Sequence, residues 1–309
     1  MPVLLPAGLP AIDVLLAEGI DARGLDRPSA TPAGALRIAL LNLMPDKRGT
    51  EIQIARMLGD GPYLVDLVPF ATSRYMTQVR QPDYRSANTP VDHLRRFYRS
   101  FDEIRNERFD GLIVTGAPVE RIPYEAVPYW SELREIFDWS LGRVAGSFNI
   151  CWGAQAALGI YHNVPKHVLG SKLFGVFEHD IETESDLLDG FGPGFRVPVS
   201  RYAEVVRPEI PVSDDLVILA DSAEAGLCLL EDRRLGQVYM FNHLEYDADT
   251  LKREYDRDRA KGENIVVPKH YFVDIDTGQP PEVHWRDDGR RLYQNWLRRL
   301  ARKRGMVAG

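Results

Sequence analysis

The sequence predicts a doubly wound α/β domain, with a mostly parallel sheet flanked by helices and extended by antiparallel strands. In the first half, short apolar runs alternate with segments of helical spacing, which is typical of buried parallel strands joined by helices. In the second half, strand-like runs follow one another more closely, which favours an antiparallel extension. We expect a single catalytic domain over residues 35–309, preceded by an N-terminal arm over residues 1–34 that is rich in proline, alanine and glycine.

The individual elements follow from hydrophobic spacing and from proline and capping signals. In the first half, strands are predicted at residues 36–44, 64–70, 109–115 and 144–150. Helices are predicted at residues 11–18, 50–58 and 130–141, and a polar loop is expected through residue 88. Thr89, Pro90 and Asp92 form a typical helix start, so a helix is predicted from there to about Asn106. In the second half, strands are predicted at 175–181, 202–206, 216–220, 226–230 and 237–241, and helices at 247–259 and 290–303.

Composition excludes several classes of protein. The chain carries 38 basic and 45 acidic side chains and a net charge of −7, whereas binding to a phosphate backbone needs a basic excess. No segment approaches the ~20 apolar residues of a membrane span, and Pro6 and Pro10 interrupt the apolar start that a signal peptide would need. Cys151 and Cys228 are too few for a disulfide framework. We therefore expect a cytoplasmic protein without nucleic-acid or membrane partners.

The segment around Cys151 is typical of a nucleophile elbow. An apolar strand ends at Cys151, Trp152 and Gly153 follow, and a helical pattern then begins. The start of a helix favours the thiolate, which is the nucleophilic form, and the Trp152 amide would donate to a developing oxyanion. The alternative for any cysteine is a small buried hydrophobe, and we assign that role to Cys228, which lies within an apolar run.

His243 is the best candidate for a general base. It directly follows a strong strand, and Glu245 lies two residues on, so both side chains would point the same way in an extended segment. The carboxylate would hold the imidazole tautomer and stabilise the imidazolium. A His-x-Glu segment arises often by chance, and it becomes informative here because it accompanies the elbow. His93 is expected at the surface, and His179 in the core or at the surface.

The sequence predicts no metal site and no nucleotide cofactor. It contains no Cys-x-x-Cys, no His-Glu-x-x-His, no phosphate-loop motif and no Gly-x-Gly-x-x-Gly. Catalysis is therefore expected to rest on protein side chains alone.

Several motifs in chain order resemble the homoserine O-succinyltransferase family of homoserine O-acyltransferases. They are Asn42-Leu-Met-Pro45 with Lys47, Asn88-Thr-Pro90, Asp110-Gly-Leu-Ile-Val-Thr-Gly-Ala-Pro118, Cys151-Trp152, Ser200-Arg-Tyr202, and His243 with Glu245-Tyr-Asp247. The resemblance extends from about residue 36 to the end of the chain. It implies a fold similar to class I glutamine amidotransferases, the synthesis of O-acyl-homoserine for methionine biosynthesis and, by analogy, a homodimer.

The resemblance implies a role for each residue of the candidate triad. Cys151 would carry the acyl group as a thioester, His243 would be the general base, and Glu245 would orient the ring. An amide at Lys47 or the residue before it would join the Trp152 amide in an oxyanion hole.

The resemblance also implies which residues bind the substrates. Lys172, Ser200 and Arg257 match substrate-binding positions, with Arg257 suited to the amino-acid carboxylate; without the resemblance all three would be expected as solvated polar residues. Glu120 stands where glutamate accompanies acetyl-CoA and glycine accompanies succinyl-CoA. A carboxylate there would repel the end of a succinyl group, although Glu120 could instead form an exposed ion pair with Arg121.

We therefore expect a homoserine O-acetyltransferase that uses acetyl-CoA as co-substrate in a ping-pong reaction through a Cys151 thioester. Succinyl-CoA as donor and serine as acceptor are the nearest alternatives. A glutamine amidotransferase-like hydrolase would use the same triad, and a binding module on this fold would have an unreactive thiol. Asn242 and Leu244 replace the glycine and proline common in the family, and Gly153 replaces an alanine, which leaves the acceptor open.

Overall fold

The computed structural model describes residues 1–26, 31–274, 277, 279–281 and 283–306. In chain order the strands are β1 (Val3–Pro6), β2 (Ala22–Leu25), β3 (Leu36–Leu41), β4 (Val65–Ala71), β5 (Arg99–Ser100), β6 (Phe109–Val114), β7 (Val144–Ile150), β8 (His167–Ile181), β9 (Gly194–Glu204), β10 (Leu216–Asp221), β11 (Leu229–Asp232) and β12 (Gln237–Met240). The α-helices are α1 (Ala11–Ala17), α2 (Lys47–Leu58), α3 (Ser73–Val79), α4 (Val91–Phe97), α5 (Phe101–Ile104), α6 (Trp130–Arg143), α7 (Trp152–His162), α8 (Thr250–Ala260) and α9 (Arg286–Lys303). Within the described part of the chain, none of these helices has the length and apolar character needed to cross a bilayer.

The strands form one sheet in the order β2-β1-β4-β3-β6-β7-β12-β11-β10-β8-β9, and the short β5 pairs with β4. Every pair on the path from β2 to β12 is parallel. Every pair from β12 onward to β9 is antiparallel. The predicted fold class, a mostly parallel sheet with an antiparallel extension, is confirmed.

Both faces of the parallel half are covered by helices. Ile38 and Leu40 of β3 face one apolar core, to which α2 and α9 contribute, whereas Ala39 and Leu41 face a second core built with α6 and α7. A strand buried on both faces needs apolar side chains in both directions, which explains the nearly continuous apolar runs. The helices on both faces make the sheet doubly wound.

The first 25 residues add two strands to the sheet. Val3 of β1 pairs in parallel with Ala22 of β2 and with Val65 of β4, and all four residues of β1 are buried. The predicted boundary at residue 35 stays a prediction. The described residues before it nevertheless belong to the same sheet as the residues that follow.

The loop predicted through residue 88 contains a helix, so the prediction is wrong over α3. Thr72 is the N-cap of this helix, and its hydroxyl accepts a hydrogen bond from the Tyr75 amide at 3.4 Å. A capping threonine is the sequence signal for this start. The buried Met76 and Val79 then attach the helix to the core.

The single helix predicted from residue 89 to about 106 is interrupted in the structure. α4 ends at Phe97, and Tyr98 is extended, with φ of −99° and ψ of 133°. Ser100 and Glu103 form a capping box that starts the separate helix α5. The Ser-x-x-Glu spacing therefore marks a second helix start within the predicted one.

His93 is buried, so the predicted surface position is wrong. Its Nε2 lies 2.9 Å from Glu51 Oε1 on the neighbouring helix α2. His179 and Cys228 are fully buried, as the core alternative for His179 and the core assignment of Cys228 required.

Candidate active site

Cys151 occupies a sharp turn between β7 and α7. It has a φ of 51° and a ψ of −118°, a conformation that strains a non-glycine residue and tends to persist where function requires it. Its amide donates to Met240 O at 2.7 Å, which ties the turn to the end of β12. The turn is a nucleophile elbow, and the sulfur lies at the carboxyl ends of the parallel strands, where ligands bind in such sheets.

Two glycines allow neighbouring chains to approach this turn. A Cβ on Gly153 would lie 2.7 Å from Thr115 O and 2.9 Å from Val114 O, so an alanine at this position would require the backbone to shift. A Cβ on Gly116 would lie 3.3 Å from Cys151 Cβ and 3.7 Å from its Sγ. The loop after β6 therefore borders the sulfur.

His243 and Glu245 follow β12 and lie beside Cys151. His243 Nδ1 is 2.6 Å from Glu245 Oε1, and both side chains are buried. The ring also interacts with the Cys151 thiol, and each of the two groups shifts the pKa of the other. Burial opposes a charged ring, but the negative charges of Glu245 and Cys151 outweigh it and raise the pKa of His243 well above its usual value. Burial raises the pKa of the Cys151 thiol, and His243 opposes that rise.

Tyr246 fixes the plane of the imidazole. Its ring stacks on His243 with centroids 4.1 Å apart and an angle of 15° between the planes. Its hydroxyl donates to Glu254 Oε1 at 3.1 Å, and its carbonyl accepts from Trp285 Nε1 at 2.8 Å. Tyr246 therefore links the triad to the polar pocket around Glu254.

Glu120 faces the sulfur from the loop after β6. The Cys151 thiol lies 3.7 Å from Glu120 Oε1, while Oε2 accepts from the Tyr202 amide at 2.9 Å. Burial raises the pKa of the Glu120 carboxyl, and the Tyr202 amide opposes the rise. Arg121 stacks over the Tyr202 ring, 3.6 Å from its centroid. The carboxylate thus points into the site, and the alternative of an exposed Glu120–Arg121 ion pair is not what the structure shows.

A polar pocket on the other side of Tyr246 contains all three predicted substrate-binding residues. Lys172 Nζ lies 2.8 Å from Glu254 Oε2 and 3.2 Å from Asp258 Oδ2. Ser200 Oγ donates to the same Glu254 oxygen, and Arg257 pairs with Asp258 Oδ1 at 2.7 Å. Burial would raise the pKa of Glu254, but the Lys172 ammonium and the Ser200 hydroxyl lower it. The pocket therefore holds two carboxylates, two cations and a hydroxyl next to the triad.

Glu254, Asp258 and Tyr246 are site residues that the sequence analysis missed. Glu254 and Asp258 lie one helical turn apart on α8, on the same face as each other. That spacing beside the predicted Arg257 was the available signal, but a charged helix face is common enough that it did not single them out.

Only one of the two predicted oxyanion-hole amides is available in the structure. The Trp152 amide lies at the start of α7, where the first amides have no acceptor within the helix. The Lys47 amide donates to Thr89 Oγ1 at 3.1 Å. The Lys47 ammonium binds the carbonyls of Asn42 at 2.6 Å and Met44 at 3.2 Å. These bonds argue against Lys47 as an oxyanion donor.

The side chains suit covalent acyl transfer. A thiol, an imidazole and a carboxylate lie together, with the imidazole bound to the carboxylate, which is the arrangement that activates a nucleophile and later returns its proton. Among the residues that the structure describes, no three His, Cys, Asp or Glu side chains come together as a metal site.

Residues 2–304 match the family model described as homoserine O-succinyltransferase. Similar proteins include a homoserine O-acetyltransferase from Synechococcus elongatus, 47% identical over 96% of this chain and 97% of that protein. Another from Ruegeria sp. is 43% identical over 96% of this chain and 93% of that protein. A third, from Cereibacter sphaeroides, is 43% identical over 97% and 96% of the two chains.

Solved structures of similar shape include two glutamine amidotransferases. One from Thermotoga maritima has a TM-score of 0.52 and 12% identity, over 87% of this chain and 99% of its own. Another from Methylobacillus flagellatus has a TM-score of 0.51 and 12% identity, over 90% and 97% of the two chains. At this identity the likeness shows the fold alone, and it confirms the class I glutamine amidotransferase-like architecture.

Proposed function

The chain belongs to the homoserine O-succinyltransferase family and is a homoserine O-acyltransferase of methionine biosynthesis; we propose that its donor is acetyl-CoA and that Cys151 carries the acetyl group. The observation that carries the proposal is that Cys151 and His243 interact at the carboxyl ends of the strands, with His243 Nδ1 2.6 Å from Glu245 Oε1. Those ends are where such sheets bind ligands.

The first half-reaction transfers the acetyl group from CoA to Cys151. His243 accepts the thiol proton of Cys151, and the thiolate attacks the carbonyl carbon of acetyl-CoA. The oxyanion that forms accepts a hydrogen bond from the Trp152 amide. The carbon–sulfur bond to CoA then breaks, the imidazolium returns its proton to the leaving sulfur, and acetyl-Cys151 remains.

The second half-reaction transfers the acetyl group from Cys151 to the homoserine hydroxyl. His243 removes the proton of the homoserine hydroxyl, whose oxygen attacks the thioester. Collapse of the intermediate breaks the bond to Cys151, and the proton on His243 returns to the sulfur. Glu245 stabilises the imidazolium in both halves because it lies against Nδ1 and leaves the other ring nitrogen for the substrates.

The polar pocket fits an amino acid as acceptor. Arg257 suits the carboxylate of homoserine, because a guanidinium can bind both oxygens. Glu254 suits the ammonium group, and Lys172 with Ser200 holds Glu254 in place. Serine is one methylene shorter than homoserine, so with its charged groups in this pocket its hydroxyl would fall short of the thioester.

Glu120 supports acetyl-CoA as donor. An acyl group on Cys151 extends into space bordered by Glu120 Oε1, which lies 3.7 Å from the sulfur. A succinyl group would bring a second carboxylate into this partly buried space, with the cost of desolvation and like-charge repulsion. An acetyl group brings only a methyl.

A donor competition tests this choice. Equal concentrations of acetyl-CoA and succinyl-CoA are offered with homoserine, and the products are weighed by mass spectrometry. The wild type should form mainly O-acetyl-homoserine, and Glu120→Gly should shift the product ratio toward succinyl by about 10–100-fold. Glu125→Gly, at an exposed glutamate of the same loop, is the matched control. A succinylated wild-type product, or an unchanged ratio in Glu120→Gly, would contradict the proposed donor.

We also propose that the enzyme works in the cytoplasm as a homodimer, with acyl-CoA and homoserine as its partners and without a cofactor. The free thiol that the mechanism needs is best kept in a reducing compartment, and both cysteines of the chain are unpaired.

A further inference from the structure

Arg201 of β9 is a buried guanidinium bound only to neutral groups. Its side chain is 2% exposed, Nη1 donates to Asn242 Oδ1, and Nη2 donates to Ala225 O. Within the part of the chain that the structure describes, no carboxylate forms a salt bridge with it, and its Nε has no hydrogen-bond partner. Burying a charge without a counter-charge is costly. The two hydrogen bonds of Arg201 therefore do not by themselves account for the burial of its charge.

The charge lies next to the reacting groups. Asn242, which binds Arg201, directly precedes His243, and Tyr202, which follows Arg201, binds Glu120 through its amide. Arg201 interacts electrostatically with Cys151 most strongly, then with Glu204 and Cys228, and also with Glu120. Its field is also felt at His179, whose pKa is lowered to about 4, first by burial and then by Arg201.

Ionisable groups from three segments of the chain surround the sulfur. Cys151 faces His243 and Tyr246 from the segment after β12, Glu120 from the loop after β6, and Arg201 from β9. An imidazolium at His243 is balanced by Glu245. The positive charge of Arg201 is then left to stabilise negative charge on the acidic groups near it, and two of these, Cys151 and Glu120, lie 3.7 Å apart at the reaction centre.

We propose that Arg201 is a positioning residue for charge: its buried guanidinium stabilises negative charge next to the triad and thereby favours the Cys151 thiolate. The inference rests on the proposed role of Cys151 as the nucleophile. In the first half-reaction, Arg201 acts when the proton leaves sulfur for His243 and the electron pair stays on sulfur. In the second, it acts when the bond between sulfur and the acyl carbon breaks and that electron pair returns to sulfur. Coulomb interactions are strong in a buried site, so the charge acts without contact to either substrate.

The test is the pH dependence of Cys151 alkylation by iodoacetamide, followed by mass spectrometry of the Cys151 peptide so that Cys228 does not interfere. Arg201→Gln removes the charge but keeps a polar side chain that can donate hydrogen bonds. We expect its alkylation midpoint to rise by about one pH unit and its rate at neutral pH to fall about tenfold. Arg201→Lys keeps the charge and should stay near the wild type.

Two further variants distinguish an effect of the Arg201 charge from an effect on folding. Arg196→Gln removes an exposed arginine from the same strand and should leave the midpoint unchanged. Glu120→Gln removes the competing anion while Arg201 stays, so the midpoint should fall; this arm decides the matter if Arg201→Gln does not fold.

A folded Arg201→Gln with the wild-type alkylation profile would overturn the inference, as would an unchanged midpoint in Glu120→Gln. Acetyl transfer by the wild type is measured in parallel. If the wild type forms acetyl-Cys151 while the profiles coincide, only the role of Arg201 fails. If it forms no acetyl-Cys151, the proposed function itself fails.

Discussion

His243 and His93 are both buried histidines paired with a glutamate, but they serve two different regions of the molecule. His243 Nδ1 lies 2.6 Å from Glu245, and His93 Nε2 lies 2.9 Å from Glu51. His243 is placed by the segment after β12 at the carboxyl ends of the strands. His93 is placed by α4 against α2.

The surroundings of the two pairs differ more than the pairs themselves. The ring of His243 meets a thiol, whereas Glu51 beside His93 also accepts from Tyr98 OH at 2.6 Å and the ring packs edge-on against Phe97. The Tyr98 hydroxyl in turn accepts a hydrogen bond from Asn42 Nδ2 at 2.9 Å, and the Asn42 carbonyl accepts one from the Lys47 ammonium. A histidine–carboxylate pair therefore does not by itself indicate catalysis; a nucleophile on the free side of the ring does.

The strongest way to break this contrast is to remove the nucleophile. Cys151→Ala should lower the rate of acyl transfer by at least about 10⁴-fold, because the ring of His243 then has no sulfur to activate. The rate is followed by CoA release. Cys228→Ala, at the other buried thiol, is the control and should retain most activity. Transfer by Cys151→Ala at the wild-type rate would remove the difference between the two regions.

Matched substitutions compare the two rings directly. His243→Gln should lower kcat by about 10²–10⁴-fold, since general base catalysis is lost. His93→Gln should keep kcat within a few-fold but lower the free energy of unfolding by about 1–3 kcal/mol, because Glu51 loses a buried partner. Steady-state kinetics and chemical denaturation give the two readouts. Equal losses of kcat in folded proteins would mean that both pairs are catalytic.

The pH dependence of the unfolding free energy tests whether the buried groups near His93, among them Lys47, contribute to stability. Burial lowers the pKa of Lys47 to about 8, and the nearby Glu51 opposes that shift. Between pH 8 and 10.5 the unfolded chain therefore holds a proton that the folded chain has lost, so stability should rise with pH in this window. Relative to Lys47→Met, the wild type should gain about 3 kcal/mol of unfolding free energy across it. Parallel pH profiles for the two proteins in denaturant titrations would refute the assignment.

Local patterns explain what the sequence could predict. Three features involve only residues that are close in sequence. They are the strand that leads to Cys151, Gly153 two residues later, and the His243–Glu245 spacing. β7 was predicted with its bounds unchanged, and the elbow followed from it. The parallel strands were predictable because burial on both faces leaves an unmistakable apolar run.

Contacts between distant segments explain which features could not be predicted from the sequence. The burial of His93 depends on Glu51, 42 residues away, and Glu254 meets Lys172 across 82 residues. Lys172 lies where the pairing of β8 with β9 shifts register, which no spacing rule anticipates. β9 begins at residue 194 instead of 202, because Pro198 is tolerated on an edge strand although it argues against a strand in general.

The central claim is that the Cys151 sulfur carries the acyl group between donor and acceptor. It is tested most directly by mixing the enzyme with acetyl-CoA in the absence of homoserine, quenching in acid and measuring the intact mass and the mass of the Cys151 peptide. One acetyl group on that peptide, removed when homoserine is added before the quench, is the predicted result. An unmodified Cys151 in an enzyme that still makes acyl-homoserine would contradict the account.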